Sequence, residues 1–162
     1  MMYVLILTVV LTFLVGCATM MGAKAAPELR TLEKIVDIPE QTKNEIYIKA
    51  NAWFVETFNS AESVIEFQDK DAGKIMGKYI FSYGEGVYTY NVKQTVDIDI
   101  KDNKIKVKIS DPYYITTSGM GQKYHDTNYF PLETQAGVDR ARKEWDKLIA
   151  DLEASLKKSN EW

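Results

Sequence analysis

The feature of this sequence that most limits its fold is a long alternation of apolar and polar residues that begins near Val87. Along residues 88–101 the even-numbered positions are mostly apolar or aromatic, whereas every odd-numbered position is polar or charged. Asp102 and Asn103 interrupt the pattern with residues that tolerate positive φ, and the alternation resumes over residues 104–109. Because successive side chains of a strand point to opposite faces, the pattern predicts a hairpin with one buried and one solvated face.

The turn also predicts the register of this hairpin. If Asp102 and Asn103 are the two loop residues, Ile100 lies opposite Ile105. A slip by one residue would set isoleucines opposite lysines and is excluded, whereas a slip by two residues keeps both faces and remains an alternative. The other predicted pairs are Ile98–Val107 and Val96–Ile109 on the buried face, and Asp97–Lys108 and Asp99–Lys106 on the solvated face.

Three further strands and two helices are predicted around the hairpin. Thr42 and Glu45 form a capping-box pattern that begins a helix over residues 43–58, and a second helix is predicted over residues 134–158. The helices have apolar faces that contain Trp53 and Trp145, which we expect in the core. The predicted strands span residues 32–38, residues 63–68 with Ile65 and Phe67 facing inward, and residues 74–83.

This order of elements predicts the fold class. The chain reads β-α-β-β-β-β-α, and each helix has a single apolar face. Two such helices need one sheet to cover, which predicts a two-layer α+β sandwich: an antiparallel sheet of about five strands with both helices on one face. A chain of 162 residues suits a single domain, which we place at residues 29–162.

The N-terminus carries an export pattern. Residues 3–15 have no charge, and thirteen residues are too few for a spanning helix, which needs about 20. Leu14-Val15-Gly16-Cys17 follows, contains the only cysteine of the chain, and resembles the lipobox of bacterial lipoproteins. The resemblance implies a signal peptide over residues 1–16 and a lipid, including palmitate, on Cys17. A later cleavage after Ala25 is the alternative.

Residues 18–28 are small or polar and show no periodicity. We therefore predict that residues 17–28 form a flexible, lipid-anchored tether between the membrane and the domain. The net charge of −3 is too small to steer a ligand, and it argues against nucleic acid as a partner.

Residues 113–133 are the one long irregular stretch of the predicted domain. Loops of this length are often functional, and this one is rich in aromatic residues, so we predict a binding loop. Two alternatives are that the rings cover an open end of the core, or that residues 113–117 prolong the sheet. The candidate binding residues are Tyr113, Tyr114, Tyr124, His125, Tyr129 and Phe130.

Several stretches together resemble a known family. They are Val36–Pro39 leading into Lys43–Phe58, then Ile65–Gly77, the long hairpin and the helix with Trp145. In this order they resemble a family of bacterial envelope domains of unknown function with a TATA-box-binding-protein-like (TBP-like) fold, over residues 32–156. The resemblance implies that fold and an exported or lipid-anchored location, and it supplies no catalytic residues.

The sequence favours a non-catalytic binding module on a periplasm-facing or surface leaflet of the bacterial cell envelope. We expect its partners to be the membrane, through the lipid on Cys17, and an envelope protein, peptide or glycan, with no nucleic acid, cofactor or metal. An envelope hydrolase using His125 with Asp126 or Asp111 is the first alternative, although the chain lacks a Gly-x-Ser-x-Gly elbow and a second histidine. The second is a nucleic-acid binder that uses Lys78, Lys93, Lys104, Lys106 and Lys108 of the solvated face, which Glu66, Asp97 and Asp99 would oppose.

Overall fold

The computed structural model describes residues 23–58, 64–85, 87–117 and 127–158. The described residues form one antiparallel sheet in the order β1-β5-β4-β3-β2, and β6 pairs with the C-terminal part of β5. The predicted α+β sandwich with two helices is confirmed, with a sixth strand that we did not predict. Its elements are a short 3-10 helix (Pro27–Arg30), β1 (Leu32–Asp37), α1 (Lys43–Thr57), β2 (Val64–Asp69), β3 (Lys74–Glu85), β4 (Tyr88–Lys101), β5 (Lys104–Thr117), β6 (Thr127–Pro131) and α2 (Gln135–Lys157).

Both helices pack on the same face of the sheet. The Phe58 ring at the end of α1 lies 5.3 Å from the Tyr79 ring of β3, and Trp145 of α2 donates a hydrogen bond to Gln94 of β4. Tyr79 and Gln94 are opposite each other in the sheet, so the two contacts are on one side. Trp53 and Trp145 are both buried, as predicted.

The predicted hairpin register is confirmed between β4 and β5. Ile100 pairs with Ile105, and Asn103 in the turn has a φ of 62°. Pairing in this register puts apolar side chains opposite each other under the helices, where all of them are buried. The buried pairs are Ile100–Ile105, Ile98–Val107 and Val96–Ile109.

The register changes at a β-bulge in β5. Thr95 pairs with Ser110 and Lys93 pairs with Tyr113, so Gln94 alone faces two residues, Asp111 and Pro112. The extra residue at a bulge has no hydrogen-bonding partner in the ladder, so a strand tolerates proline at this position. Asp111 adopts a φ of 53°, a left-handed conformation that Asp tolerates better than most residues.

The prediction of an irregular loop over residues 113–133 is wrong for residues 113–117 and 127–131, which lie in strands. Residues 113–117 continue β5, which was one of the alternatives, and residues 127–131 form β6. Pairing between β5 and β6 satisfies the backbone groups that a loop would leave to solvent. Residues 118–126 lie outside the described residues.

The predicted inward orientation of Phe67 is wrong, because a second bulge lies in β2. Ile65 pairs with Gly77 and Phe67 pairs with Met76, so the alternation shifts by one residue between them. Ile65 packs against the core as predicted, but Phe67 points away from the helices and is 44% exposed.

The N-terminal segment is attached to the domain instead of forming part of a free tether. The backbone N–H of Ala25 donates to the Glu133 carbonyl at 2.8 Å, and the Ala25 side chain is buried. Lys24 forms an ion pair with Glu133 at 2.8 Å. The predicted tether over residues 17–28 is therefore wrong for residues 23–28, because their backbone finds hydrogen-bond partners beside β6 and α2.

Candidate functional site

The sheet face without helices, called the open face below, has two unlike ends. The first, the ion-pair end, lies near the β4–β5 turn and is defined by Lys74, Asp97, Asp99 and Lys106. The second, the aromatic end, lies beyond the bulge and is defined by Lys93, Asp111, Tyr113 and Tyr129. The side chains of each end come from neighbouring strands and all point to the open face, so pairing of the strands places them next to one another.

At the ion-pair end, Lys74 lies between two carboxylates. Its Nζ is 2.8 Å from an Asp97 oxygen and 3.0 Å from an Asp99 oxygen, and Lys106 Nζ is 3.2 Å from Asp99. Hydrogen bonds to Asp97 and then Asp99 raise the pKa of Lys74. Partial burial opposes ionisation of Asp99, but hydrogen bonds from Lys74 and Lys106 outweigh it and lower the pKa of that carboxyl group. These charges are satisfied by one another.

The same pairing weakens the nucleic-acid hypothesis. Lys106 is paired with Asp99, and Lys78 lies 3.7 Å from Glu66 while donating to the Thr95 hydroxyl at 2.7 Å. A phosphate-binding surface needs lysines whose charge is free to neutralise phosphates. Two of the five lysines in that hypothesis are thus already engaged with carboxylates.

At the aromatic end, the register sets two tyrosines side by side. Tyr113 pairs with Pro131 and Tyr129 pairs with Ile115, so Tyr113 and Tyr129 are diagonal neighbours on the open face. Tyr113 is 38% exposed and Tyr129 is 53% exposed. Lys93 lies opposite Tyr113, and its Nζ is 5.9 Å from the centre of the Tyr129 ring, within the range of a cation–π contact.

These groups line a depression of about 230 Å³. Small-molecule pockets usually enclose roughly 300–1,000 Å³, so this one suits a single protruding group of a larger ligand. Tyrosine rings offer flat apolar surface, an amine donates hydrogen bonds and a carboxylate accepts them. Its lining residues are Lys78, Lys93, Gln94, Asp111, Tyr113 and Tyr129.

A second depression, of about 360 Å³, lies near the turn at the other end of the face. It is larger, but no aromatic residue lines it, and its Asp99 is engaged with Lys74 and Lys106. It therefore lacks the flat aromatic surface of the aromatic end, and one of its charged groups is already paired within the sheet.

The sequence suggested Lys93 as a phosphate-binding lysine and Asp111 as a hydrolase residue, but it did not place either beside Tyr113 and Tyr129, and Gln94, which also lines the depression, was missed. Gln94 is 1% exposed, its Oε1 accepts a hydrogen bond from Trp145 Nε1 at 2.5 Å, and its Nε2 has no partner among the described residues. A signal for Gln94 was present, because it is the one polar residue at an even position of the alternation in β4. Asp111-Pro112 marked the bulge but was interpreted as the end of a strand.

The structure separates the predicted binding residues instead of grouping them in one loop. Tyr113 and Tyr129 face the open side, whereas Tyr114 and Phe130 have the opposite strand parity and face the helix side. Alternation along β5 and β6 is the physical reason for this division. Tyr124, His125 and Cys17 lie outside the described residues.

Tyr114 belongs to the packed side of the sheet. Its hydroxyl lies 2.8 Å from the Tyr83 hydroxyl, and burial together with this hydrogen bond raises the pKa of Tyr83. A Cβ added to Gly137 would lie 2.5 Å from the Tyr114 hydroxyl, so α2 approaches closely at that point. For Tyr114 the alternative, a ring that covers the core, fits the structure better than a binding role.

Two further features concern the remaining hypotheses. Within the described ranges there is no group of three acidic, histidine or cysteine side chains placed to hold a metal ion. In those same ranges neither helix combines the length and apolar character needed to cross a membrane. Asp111 lines the depression, but its suggested partner His125 and the alternative carboxylate Asp126 fall in the part of the chain that is not described, so the hydrolase stays a hypothesis.

Comparison with known proteins places this geometry in a known fold. The family model described as "Domain of unknown function (DUF4468) with TBP-like fold" matches residues 33–115. A solved TBP-like protein from Parabacteroides distasonis has a TM-score of 0.64 and 16% identity, covering 80% of this chain and 94% of its own. A solved DUF4468 family protein from Bacteroides ovatus has a TM-score of 0.60 and 15% identity, covering 88% and 95%. No curated protein matches the chain. At these identities the structural likeness shows the fold alone.

Proposed function

The chain belongs to the DUF4468 family of domains with a TBP-like fold, and from that premise we propose that it is a non-catalytic binding module of the bacterial cell envelope. Its binding surface is the aromatic end of the open face. Its ligand is a protein, peptide or glycan that inserts one group between Tyr113, Tyr129 and Lys93. Since the family has no assigned function, the proposal rests on the site and not on the fold.

The observation that supports this proposal most is the exposure of Tyr113 and Tyr129 beside Lys93 on a face whose other end is neutralised by ion pairs. Lys93 forms no ion pair with any described residue, so its amine is available to an incoming acceptor. Binding energy at interfaces is concentrated in a few Tyr, Trp or Arg side chains that are rigid before binding. Here the paired strands β4, β5 and β6 hold the rings in place.

The proposed location follows from the N-terminus. Leu14-Val15-Gly16-Cys17 after an uncharged run supports a lipid anchor on Cys17, and the two solved relatives come from bacteria, where such anchors occur. Labelling cells with a palmitate analogue tests the anchor, because Cys17→Ser should abolish the label. Equal labelling of wild type and Cys17→Ser would refute the lipid anchor.

The binding proposal is tested with two matched pairs of variants. Lys93→Met and Tyr113→Ser alter the aromatic end, while Lys106→Met and Phe67→Ser alter a lysine and an exposed ring elsewhere on the open face. Each protein is recovered from cross-linked membranes, its co-purifying material is quantified, and its thermal midpoint is measured.

We expect the first pair to lose most of the recovered partner with unchanged midpoints. Loss of an anchor residue worth about 2 kcal/mol lowers affinity by more than tenfold. The control pair should retain the partner. Equal recovery with all four variants would contradict the proposal, and a loss confined to the control pair would move the site to the ion-pair end.

A further inference from the structure

The attachment of the N-terminal segment restricts how the domain can sit on a membrane. Residue 23 accepts a hydrogen bond from the N–H of Gln135 at 2.7 Å, and Ala25 donates to Glu133 at 2.8 Å. Lys24 and Arg30 both pair with Glu133, at 2.8 Å and 3.2 Å. The chain is thus attached to the junction of β6 and α2 from residue 23 onward.

Few residues of the sequence lie between this attachment point and Cys17. Five residues, 18–22, separate them. Residue 23 is six positions after Cys17, and a fully extended chain spans at most about 3.6 Å per residue, so this segment reaches at most about 22 Å. A domain held this closely cannot turn every face toward the bilayer, and the β6–α2 junction must stay near it.

Exposed apolar side chains lie at that junction. Phe130 is 54% exposed on the helix side of β6, so it is not part of the depression on the open face. Pro27 and Pro131 are exposed on the other side of β6, where they line one depression together with Tyr113. Lys24 has a side chain that is 77% exposed and sits next to the attachment point. Aromatic rings and lysines of this kind are typical at the interface between lipid and water.

We propose that the corner formed by Phe130, Pro131, Pro27 and Lys24 rests on the phospholipid surface that holds the lipid of Cys17. The Phe130 ring enters the headgroup region, and Lys24, which pairs with Glu133, lies at the same surface. This inference rests on the lipid anchor of the proposed function.

The contact does not need to be strong. The lipid on Cys17 supplies membrane attachment, and a short tether keeps the corner at a high effective concentration next to the bilayer. A surface too weak to hold a free protein on a membrane is then sufficient to fix its orientation. Tyr129 lies on the rim of the depression and is the neighbour of Phe130 in β6. The depression would therefore open beside the membrane surface.

The test uses fluorescence quenching on the lipidated full chain in vesicles of phosphatidylethanolamine and phosphatidylglycerol. The only natural cysteine carries the lipid, so a single introduced cysteine accepts one fluorophore. Pro131→Cys places the label at the corner and leaves Phe130 intact. Val64→Cys is the matched control, because it is 50% exposed on β2 at the opposite edge of the sheet.

Lipids with a nitroxide near the headgroup should quench the Pro131→Cys label at least about threefold more than the Val64→Cys label. Adding Phe130→Ser should lower the quenching at residue 131 toward the control, whereas adding Phe67→Ser should leave it unchanged. Equal quenching at both positions, or no effect of Phe130→Ser, would overturn the inference.

A flotation measurement separates this inference from the proposed function. Protein that floats with vesicles but shows equal quenching at the two labels would refute the oriented contact and leave the anchor intact. Protein that fails to float would refute the anchor, and the inference would fall with it.

Discussion

The two ends of the open face share strands β4 and β5 and are separated by one extra residue in β5. At the ion-pair end, β4 and β5 pair without interruption from Thr95–Ser110 to the turn. Beyond it, Gln94 faces both Asp111 and Pro112. Charges at the first end lie opposite one another and pair, while the second end presents two exposed tyrosines and a lysine that forms no ion pair with a described residue.

The difference between regular pairing and a bulge indicates where a binding site can form in a sheet of this kind. A regular ladder places complementary side chains opposite each other, so its polar groups tend to be satisfied within the sheet. A bulge shifts the alternation and re-aims the side chains that follow, which is why bulges are common next to functional sites. In this chain the Asp111 bulge decides which tyrosine faces outward, Tyr113, and which faces the core, Tyr114.

The largest effect is expected from removing the bulge. Deletion of Asp111 shifts residues 113–117 by one position, which would send Tyr114 to the open face and break its hydrogen bond with Tyr83. We expect a loss of about 5 kcal/mol or more in the free energy of unfolding, measured by urea denaturation. Asp111→Gly keeps the chain length and accepts the positive φ, so it should change stability by less than about 1 kcal/mol. A deletion variant as stable as wild type would contradict the role of the bulge.

The next effect concerns the core beneath the bulge. Trp145 is fully buried and donates its indole N–H to Gln94, the residue that faces the bulge. Trp145→Ala should lower the free energy of unfolding by about 3–5 kcal/mol, because it leaves a cavity and removes the partner of Gln94. Lys143→Ala, on the exposed side of the same helix, should change it by less than about 0.5 kcal/mol. Matching denaturation midpoints for the two variants would show that this helix does not pack here.

The smallest stability effect is expected at the ion-pair end. Lys74→Met leaves Asp97 and Asp99 without their shared lysine, and we expect a loss of about 0.5–1 kcal/mol near pH 7, since these groups are partly exposed. The raised pKa of Lys74 means that its contribution is present below about pH 10 and is lost as pH rises through the folded pKa. The lowered pKa of Asp99 means that its contribution is present above about pH 4 and is lost as pH falls through the folded pKa.

Urea denaturation of Lys74→Met and wild type across this pH range checks the prediction. The stability deficit of the variant should be greatest between about pH 5 and 9 and should shrink toward both extremes. Lys101→Met is the control, because it lies opposite Lys104 and has no ion pair among the described residues. A deficit that persists unchanged at about pH 2.5 would show that Lys74 stabilises the sheet by packing and not by charge.

The ion-pair end, where strand pairing is regular, could be predicted from the sequence, whereas the aromatic end could not. Residues 88–109 alternate, so periodicity and one turn determine which side chains meet. The capping box at Thr42 was predictable for the same reason, because its partners are three residues apart. Local patterns of this kind determine which residues pair.

The aromatic end depends on pairing between residues distant in sequence. Nothing local to Thr127–Pro131 shows that it pairs with residues 113–117, and nothing in Asp111-Pro112 distinguishes a bulge from the end of a strand. The attachment of Ala25 beside Glu133 joins residues more than a hundred positions apart, so the composition of residues 18–28 pointed to a tether instead. Tertiary contacts override composition in each case.

The central claim is that the aromatic end, and not the ion-pair end, meets the ligand. The most direct measurement replaces Tyr113 or Met76, one at a time, with a photo-activated phenylalanine derivative, which keeps an aromatic ring and inserts into C–H bonds, in cells that make the full chain. Met76 lies opposite Asp97 on the same open face, so it reports on the ion-pair end. We predict that irradiation captures a discrete protein, peptide or glycan adduct from position 113 and none from position 76. Equal capture at both positions, or capture from position 76 alone, would contradict the claim.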